Sequence, residues 1–367
     1  MYGRWFEVFV CSGALLLMAG TTGGNDESTG SAALVEDTPP SAPASAVRTI
    51  LDGRSYWRYH VTMRKPVVRV ETLEAAGHDD AESAVLPVKV PYRHYPRIEQ
   101  METDPAAANW ADPDFNDAPW PRGRAGADWP DSLAAVVFRP AVRFSAGTVC
   151  LRGKFAVDDP SAVRDLTLSL RYRGGVVIYL NGKEIARKDL PDGKLTPRTP
   201  GNDYPAEAFV DADGKPIPGP YHADKRIKAG DTDLAKRLAT RNRSMGPVTV
   251  PPAALRKGTN VLAIELHRSD YHPAALSWFN AQNVGKGVGW VPAGLAEVTL
   301  IGAGAGMMPN TSRPQGVRVW NHDVNDRVTV LDHGDPHEPL RPLLLVGARN
   351  GSFSAMVVAS STWPIRG

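Results

Sequence analysis

Residues 176–187, VVIYLNGKEIAR, constrain this chain more than any other stretch. Two apolar-rich runs flank Asn181-Gly182, the dipeptide that best tolerates the positive φ angles of a tight hairpin turn. Residues 255–267, LRKGTNVLAIELH, answer it: a polar loop at 256–260 feeds a strand whose Leu262, Ile264 and Leu266 alternate onto one face. Together they predict an antiparallel β-sandwich presenting loops, and they argue against a nucleotide-binding α/β enzyme.

Further strands follow the same period. In residues 151–157, Leu151, Phe155 and Val157 face one way and Arg152 and Lys154 the other. In 166–172, Leu166, Leu168, Leu170 and Tyr172 oppose Thr167, Ser169 and Arg171, and 297–301 adds another strand. No amphipathic helix of convincing length separates these segments, which favours antiparallel sheets. Two stretches read as insertions. Residues 189–252 are crowded with Pro, Gly, Asp and Lys and carry only a short helix at 231–241; residues 269–292 hold Tyr271, His272, Trp278, Phe279 and Trp290.

The 34 Gly and 32 Pro are scattered, as many short strands and surface loops require. Lysine and arginine (42) nearly balance aspartate and glutamate (40), without runs of like charge, so a nucleic-acid partner has no electrostatic support. Residues 1–20 read as an export signal: Arg4, an apolar run at 8–18, then Ala19-Gly20. Thr21 stands where a lipidated cysteine belongs, and the apolar run is short for a membrane span. Glu7 leaves an uncleaved anchor as the alternative. Residues 21–46, rich in Ser, Thr, Gly, Ala and Pro, read as a flexible tether. Signal cleavage removes Cys11 and leaves Cys150 as a small apolar filler without an intrachain partner. The expected location is secreted, periplasmic or cell-surface, with no membrane span after cleavage.

Residues 47–303 form the expected sandwich domain. Gly302-Ala-Gly-Ala-Gly306 fails as a dinucleotide loop, because Met307 replaces the third glycine and Pro309 opposes the helix. It reads as an interdomain hinge. Beyond it, strands expected at 317–320, 327–331 and within 343–361 make 304–367 the start of a second, incomplete β-domain.

Residues 112–120, DPDFNDAPW, resemble the "D..F.D..W" entry segment of galactose-binding-like jelly rolls, such as the sugar-binding domain of family 2 glycoside hydrolases. Residues 151–157 are similar to that family's "R..F" strand, 176–185 to "vylNGk.v" and 255–266 to "l..G.NvlAvel", in the same order. The resemblance spans roughly residues 110–301. It implies an all-β, antiparallel jelly-roll sandwich with long loop insertions, within a secreted bacterial glycoside-hydrolase-like protein. Its specificity for ligand is weak, because such domains serve as sugar binders, spacers and protein-binding modules alike. Residues 347–359 also resemble the opening of β-domains that precede catalytic barrels.

Sugars pack their C–H faces on aromatic rings while polar groups bond their hydroxyls. Tyr271, His272, Trp278 and Trp290 are therefore the expected stacking residues. Trp110, Trp120 and Trp129 also lie in loop-like contexts, with Trp120 read as a plug at the end of the sandwich. Glu265 and His267 share the strand face opposite the leucines, where side chains are usually solvated or lightly paired, with ligand contact or acid–base work as the alternative. Asp112, Asp114 and Asp117 read as turn-shaping residues, with a structural Ca2+ as the alternative. Residues 333–337, HGDPH, read as a polar turn rather than a metal site. No catalytic residue and no cofactor is expected. The expectation is an exported, non-catalytic carbohydrate-recognition or accessory module whose partner is a glycan or another protein domain. Two alternatives stay open: the N-terminal part of a glycoside hydrolase, and a structural or protein-binding sandwich without a sugar ligand.

Overall fold

The computed structural model describes residues 46–65, 67–69, 83–85, 102–124, 145–217, 220–273, 292–324 and 328–338, together with 340, 342, 343, 345, 352 and 354–364. The expected signal and all but the last residue of the tether lie outside the described residues. The chain divides into two compact units. One is 47–312; the other comprises 1–46 and 313–367.

The first unit is an antiparallel β-sandwich. Strands β1 (Arg48–Asp52), β12 (Gly294–Ala303), β7 (Arg164–Arg173) and β10 (Arg243–Thr249) lie side by side in that order as a four-stranded sheet. The facing seven-stranded sheet runs β5 (Arg122–Arg124), β2 (Tyr56–Met63), β6 (Ala146–Val157), β11 (Gly258–His267), β8 (Gly175–Leu180) and β9 (Lys183–Lys188). A short β13 (Met307–Met308) joins it beside β6. Two short strands, β3 (Val67–Arg69) and β4 (Ser83–Val85), pair separately.

The alternating leucines of the sequence become one core. Leu166, Leu168, Leu170 and Tyr172 meet Leu151, Phe155, Ile178, Leu262, Ile264 and Leu266 between the sheets. Burying each such aliphatic side chain is worth roughly 1.5–3 kcal/mol. The hairpin forms as its dipeptide dictates: Asn181 and Gly182 have φ of 51° and 82°, matching the twist of β8 and β9.

The two opening signatures are bonded to each other. Asn181 Nδ2 donates to Asn260 Oδ1 (2.8 Å) and to the Ala254 carbonyl (3.0 Å), and the Val261 amide donates to Asn181 Oδ1 (3.0 Å). Fully buried Asn260 also accepts from the Arg256 amide (2.9 Å) and donates to the carbonyls of Arg256 (2.7 Å) and Gly258 (3.0 Å). Every polar atom of the Asn260 side chain is thus used, as burial demands.

Four expectations change. The stretch 189–252 is not wholly an insertion, because β10 is an edge strand of the four-stranded sheet, paired with β7. Its Gly246-Pro247 reads as a turn in sequence. An edge strand accommodates it with a register shift between Met245 and Val248. Second, 302–306 is not a hinge between units. Gly304 (φ 98°) and Gly306 (φ 83°) turn the chain within the sandwich, so that β13 pairs with β6 and Asn310 donates its amide to Ile50 (2.9 Å). The first unit accordingly runs on to Ser312.

Third, the face of β11 opposite the leucines is covered rather than solvated, although Glu265 and His267 on it are paired as the alternative reading of such a face expects. Val261 and Ala263 are fully buried under the segment 106–120. Fourth, in the second unit β14 (Val317–His322) pairs with β15 (Met356–Ser361), but 328–331 is not a strand. Asp332 Oδ2 accepts from the Thr329 amide (2.7 Å) and hydroxyl (2.9 Å), and this local turn competes with strand pairing. The short helix expected at 231–241 is present as α2 (Thr232–Ala239), capped by Asp231, which accepts from the Leu234 amide (2.9 Å). It follows α1 (Pro220–Lys228), and the two share a small core of Ile217, Ala223 and Leu234.

Candidate functional site

Strand polarity sets where loops gather. β2, β7, β9 and β11 end, and β6, β8, β10 and β12 begin, at the same end of the sandwich, as the pairs Met63–Ala146, Thr148–His267, His267–Gly175, Val176–Lys188, Tyr172–Arg243 and Arg173–Gly294 show. Both excursions, 189–242 and 268–293, therefore leave and return there.

They are knitted together. Gly201 bridges Ser269 in parallel, Ser269 Oγ donates to the Asn202 carbonyl (2.7 Å), and His267 Nδ1 lies 2.8 Å from the Thr199 carbonyl. A carbonyl only accepts, so the Nδ1 of His267 carries a proton. Arginines staple the loop backbone. Arg243 donates to the carbonyls of Gly174 (3.0 Å), Asn202 (2.9 Å) and Asp203 (2.8 Å) and lies over the Tyr204 ring at 3.9 Å. Arg64 donates to Pro197 (3.1 Å), Arg241 to Ala208 (2.9 Å) and Arg268 to Lys65 (2.6 Å). Each contact ties a backbone carbonyl to a guanidinium group, and the Pro197 and Asn202 carbonyls also accept from the hydroxyls of Thr148 and Ser269.

The expected stacking residues separate here. Tyr271 is only 1% exposed, so its ring is part of the interior of this end rather than a surface platform. His272 is half-buried and its ring lies on Phe209, with centroids 5.4 Å apart and planes 25° from parallel. Burial holds the His272 imidazole below its usual pKa, favouring the neutral ring. Trp278 and Trp290 lie outside the described residues, as does Trp129.

Phe209, Tyr204 and the arginines have no local signature in the sequence. They reach the site through contacts such as Arg243 to Gly174, 69 residues apart. Charge is concentrated at the start of β10. Arg173 Nε donates to Asn242 Oδ1 (3.1 Å), and Asn242 is flanked by Arg241 and Arg243. Burial first, then the like charge of Arg173, pulls Arg241 down to about 9. Asp189 is a nearby counter-charge, 3.9 Å from Arg243 Nε, and it accepts the Tyr172 hydroxyl at 2.5 Å.

A second polar constellation lies on the outer face of the seven-stranded sheet, beneath the strap 102–120. Asp117 Oδ2 accepts from Arg152 Nε (2.8 Å) and Lys154 Nζ (2.7 Å), all three side chains being under 8% exposed. Arg152 NH1 also donates to the carbonyls of Trp110 and Asp112. Trp120 packs on Trp110 (6.1 Å), Phe115 (5.4 Å) and His60 (5.2 Å), so it covers the outer face of the sheet rather than plugging an end of the sandwich. The Asp117 carboxylate thus anchors the strap, while its carbonyl accepts from the Trp120 amide (2.9 Å) and opens a turn. Exposed Asp114 meets Arg256 NH2 (3.2 Å).

Glu265 accepts the Tyr179 hydroxyl (2.9 Å) and lies 3.3 Å from His267 Nε2. These groups serve internal contacts, with Glu265 only 13% exposed and His267 fully buried. Among the described residues, no three His, Cys, Asp or Glu side chains cluster as metal ligands, and Cys150 is a buried free thiol.

No protein-family model matches the chain, and no curated protein matches it in sequence. Among solved structures, it resembles parts of several β-glucuronidases. A calcium-binding mutant of Bacteroides uniformis β-glucuronidase 2 is 13% identical, with a TM-score of 0.30, over 76% of this chain and 21% of that one. The Bifidobacterium dentium β-glucuronidase complexed with coumarin-3-O-glucuronide is 11% identical (TM-score 0.30; 78% and 32% covered). The Ruminococcus gnavus β-glucuronidase is 11% identical (TM-score 0.29; 77% and 32% covered). This chain spans about a fifth to a third of the length of those three proteins. At these TM-scores and identities the likeness carries no argument about chemistry.

Proposed function

We propose that this protein is an exported, non-catalytic glycan-recognition module, a β-sandwich accessory to a carbohydrate-active protein. The observation that carries the reading is the union of the two loop excursions at one end of the sandwich, with His272 laid on Phe209 at its surface. The described parts of the excursions are bonded to each other and so lose little freedom on binding, and a neutral half-exposed imidazole on an aromatic backing suits the C–H face of a sugar. Trp278 and Trp290, in the same excursion as His272, would extend this surface, while buried Tyr271 supports it from within.

The ionisable groups of the outer face support the non-catalytic reading, since Asp117 and Glu265 are committed to holding the strap and the sheet. Affinity electrophoresis and calorimetric titration against a polysaccharide panel test the proposal. Binding of at least one polysaccharide is expected, and His272→Ala or Trp278→Ala should weaken it roughly three- to tenfold. A protein that binds no polysaccharide, with Trp278→Ala equally inert, refutes it.

A further inference from the structure

His267 closes β11, its side chain fully buried between two acceptors. Its Nδ1 lies 2.8 Å from the Thr199 carbonyl of the first excursion, and its Nε2 lies 3.3 Å from Glu265 Oε1 on its own strand. The other oxygen of Glu265 accepts the Tyr179 hydroxyl (2.9 Å), which fixes the carboxylate beside the ring. Thr199 ends a tight turn, with its amide bonded to the Thr196 carbonyl (3.0 Å). Two residues on, a Cβ at Gly201 would stand 2.4 Å from the Gly175 nitrogen, so this backbone is seated directly on the strand end.

A neutral imidazole has one N–H, and here two acceptors compete for it. An imidazolium serves both: Nδ1–H donates to Thr199 while Nε2–H faces the carboxylate. When one proton leaves, the other stays with the stronger partner, and a bond to an ionised carboxylate is roughly twice as strong as one to a neutral carbonyl. The ring then keeps Nε2–H for Glu265 and turns a lone pair toward the Thr199 oxygen, which repels it.

Other ionisable groups border this row of side chains. Cys150 stands opposite Glu265 on β6, and His60 stands opposite Cys150 on β2. β9 contributes Glu184 and Arg187, paired at 2.6 Å. Arg64 donates to Pro197 (3.1 Å), and Arg268 follows His267 in the chain. Burial first, then the Glu265 charge, raises both Cys150 and Tyr179 above their ordinary ranges, so both stay protonated through neutrality.

We propose that His267 is a proton-operated latch on the first excursion: its imidazolium joins the Thr199 carbonyl to the Glu265 carboxylate, and loss of one proton releases Thr199 and loosens residues 196–202. The contact is complete at lower pH and is lost as pH rises. The latch stands independently of what the loops bind.

Amide hydrogen exchange of the full chain, corrected for intrinsic rates, reads the latch from about pH 5 to about pH 9. Protection across 196–202 should fall about tenfold over that range, as the loss of one hydrogen bond implies, while the hairpin 176–187 keeps its protection. Glu265→Gln offers an uncharged N–H to Nε2 and leaves Nδ1–H on Thr199, and His267→Asn places its amide where Nδ1 stood. Both variants should abolish the fall, which a titration of His60 would leave in place. In the parent protein, nitrogen NMR of the His267 ring should show both nitrogens protonated at the acid end and only Nε2 at the alkaline end. Protection of 196–202 that does not change with pH overturns the proposal, as does a fall that persists in either folded variant. A ring that keeps its proton on Nδ1 at the alkaline end overturns it even if neither variant folds.

Discussion

Replacing Asp117 by asparagine keeps the side chain's shape and one acceptor oxygen, but it removes the negative charge set between two buried cations. In the native protein Asp117 Oδ2 lies 2.8 Å from Arg152 Nε and 2.7 Å from Lys154 Nζ, with side-chain exposures of 4%, 0% and 7%. At an effective dielectric of about 20, each contact is worth about 6 kcal/mol of Coulomb energy. Dehydrating three ions costs several kcal/mol apiece, so the triad as a whole contributes little net stability. Removing only the carboxylate is different, because both cations stay buried without it. The expected destabilisation is about 3–5 kcal/mol. At about 2–4 °C per kcal/mol, this lowers the melting temperature by roughly 6–20 °C.

Urea unfolding followed by tryptophan fluorescence is the assay, since Trp110 and Trp120 sit on the strap that Asp117 anchors. Substituting Asp117→Leu together with Arg152→Met and Lys154→Met should recover most of the loss. The exposed pair Arg54–Asp52 serves as a control, where Arg54→Ala should cost under about 1 kcal/mol. An Asp117→Asn protein within about 1 kcal/mol of the parent would refute the argument that this triad holds the strap.

Two further outcomes follow from buried polar groups elsewhere in the sandwich. Asn260→Ala removes a fully buried amide that serves Arg256, Gly258 and Asn181, and should cost about 2–4 kcal/mol in equilibrium unfolding. Tyr172 and Tyr179 are raised well above the usual tyrosine range, by burial first, then by the Asp189 hydrogen bond and the Glu265 charge respectively. Their folded pKa exceeds the unfolded value of about 10, so their contribution is complete below pH 10 and is lost as pH rises toward the folded value. Stability measured from pH 9 to 11 should therefore fall, with Tyr172→Phe flattening part of the decline.

Much of the fold was legible because it depends on near neighbours in sequence. Alternation in 166–172 and 262–266 assigns side chains to faces without knowledge of partners, and Asn181-Gly182 forces its own turn. The capped helix at 232–239 is likewise local. The edge strand β10 was hidden because Gly246-Pro247 carries a turn signal that only an edge position tolerates.

The site was half legible. Residues 269–292 stood out for their rings, yet nothing in the sequence shows that Tyr271 is enclosed while His272 finds Phe209, 63 positions earlier. Asp117 read as a turn residue because local spacing cannot report a partner 35 residues away at Arg152.

By itself, then, the sequence determined an antiparallel sandwich and the two stretches that leave it, because period and turn chemistry act over a few residues. Tertiary structure alone decided that those stretches converge, that Asn181 bonds Asn260 and that Arg173, Arg241 and Arg243 gather at one strand end. Those facts depend on strand order and register, which long-range packing selects and no local pattern encodes.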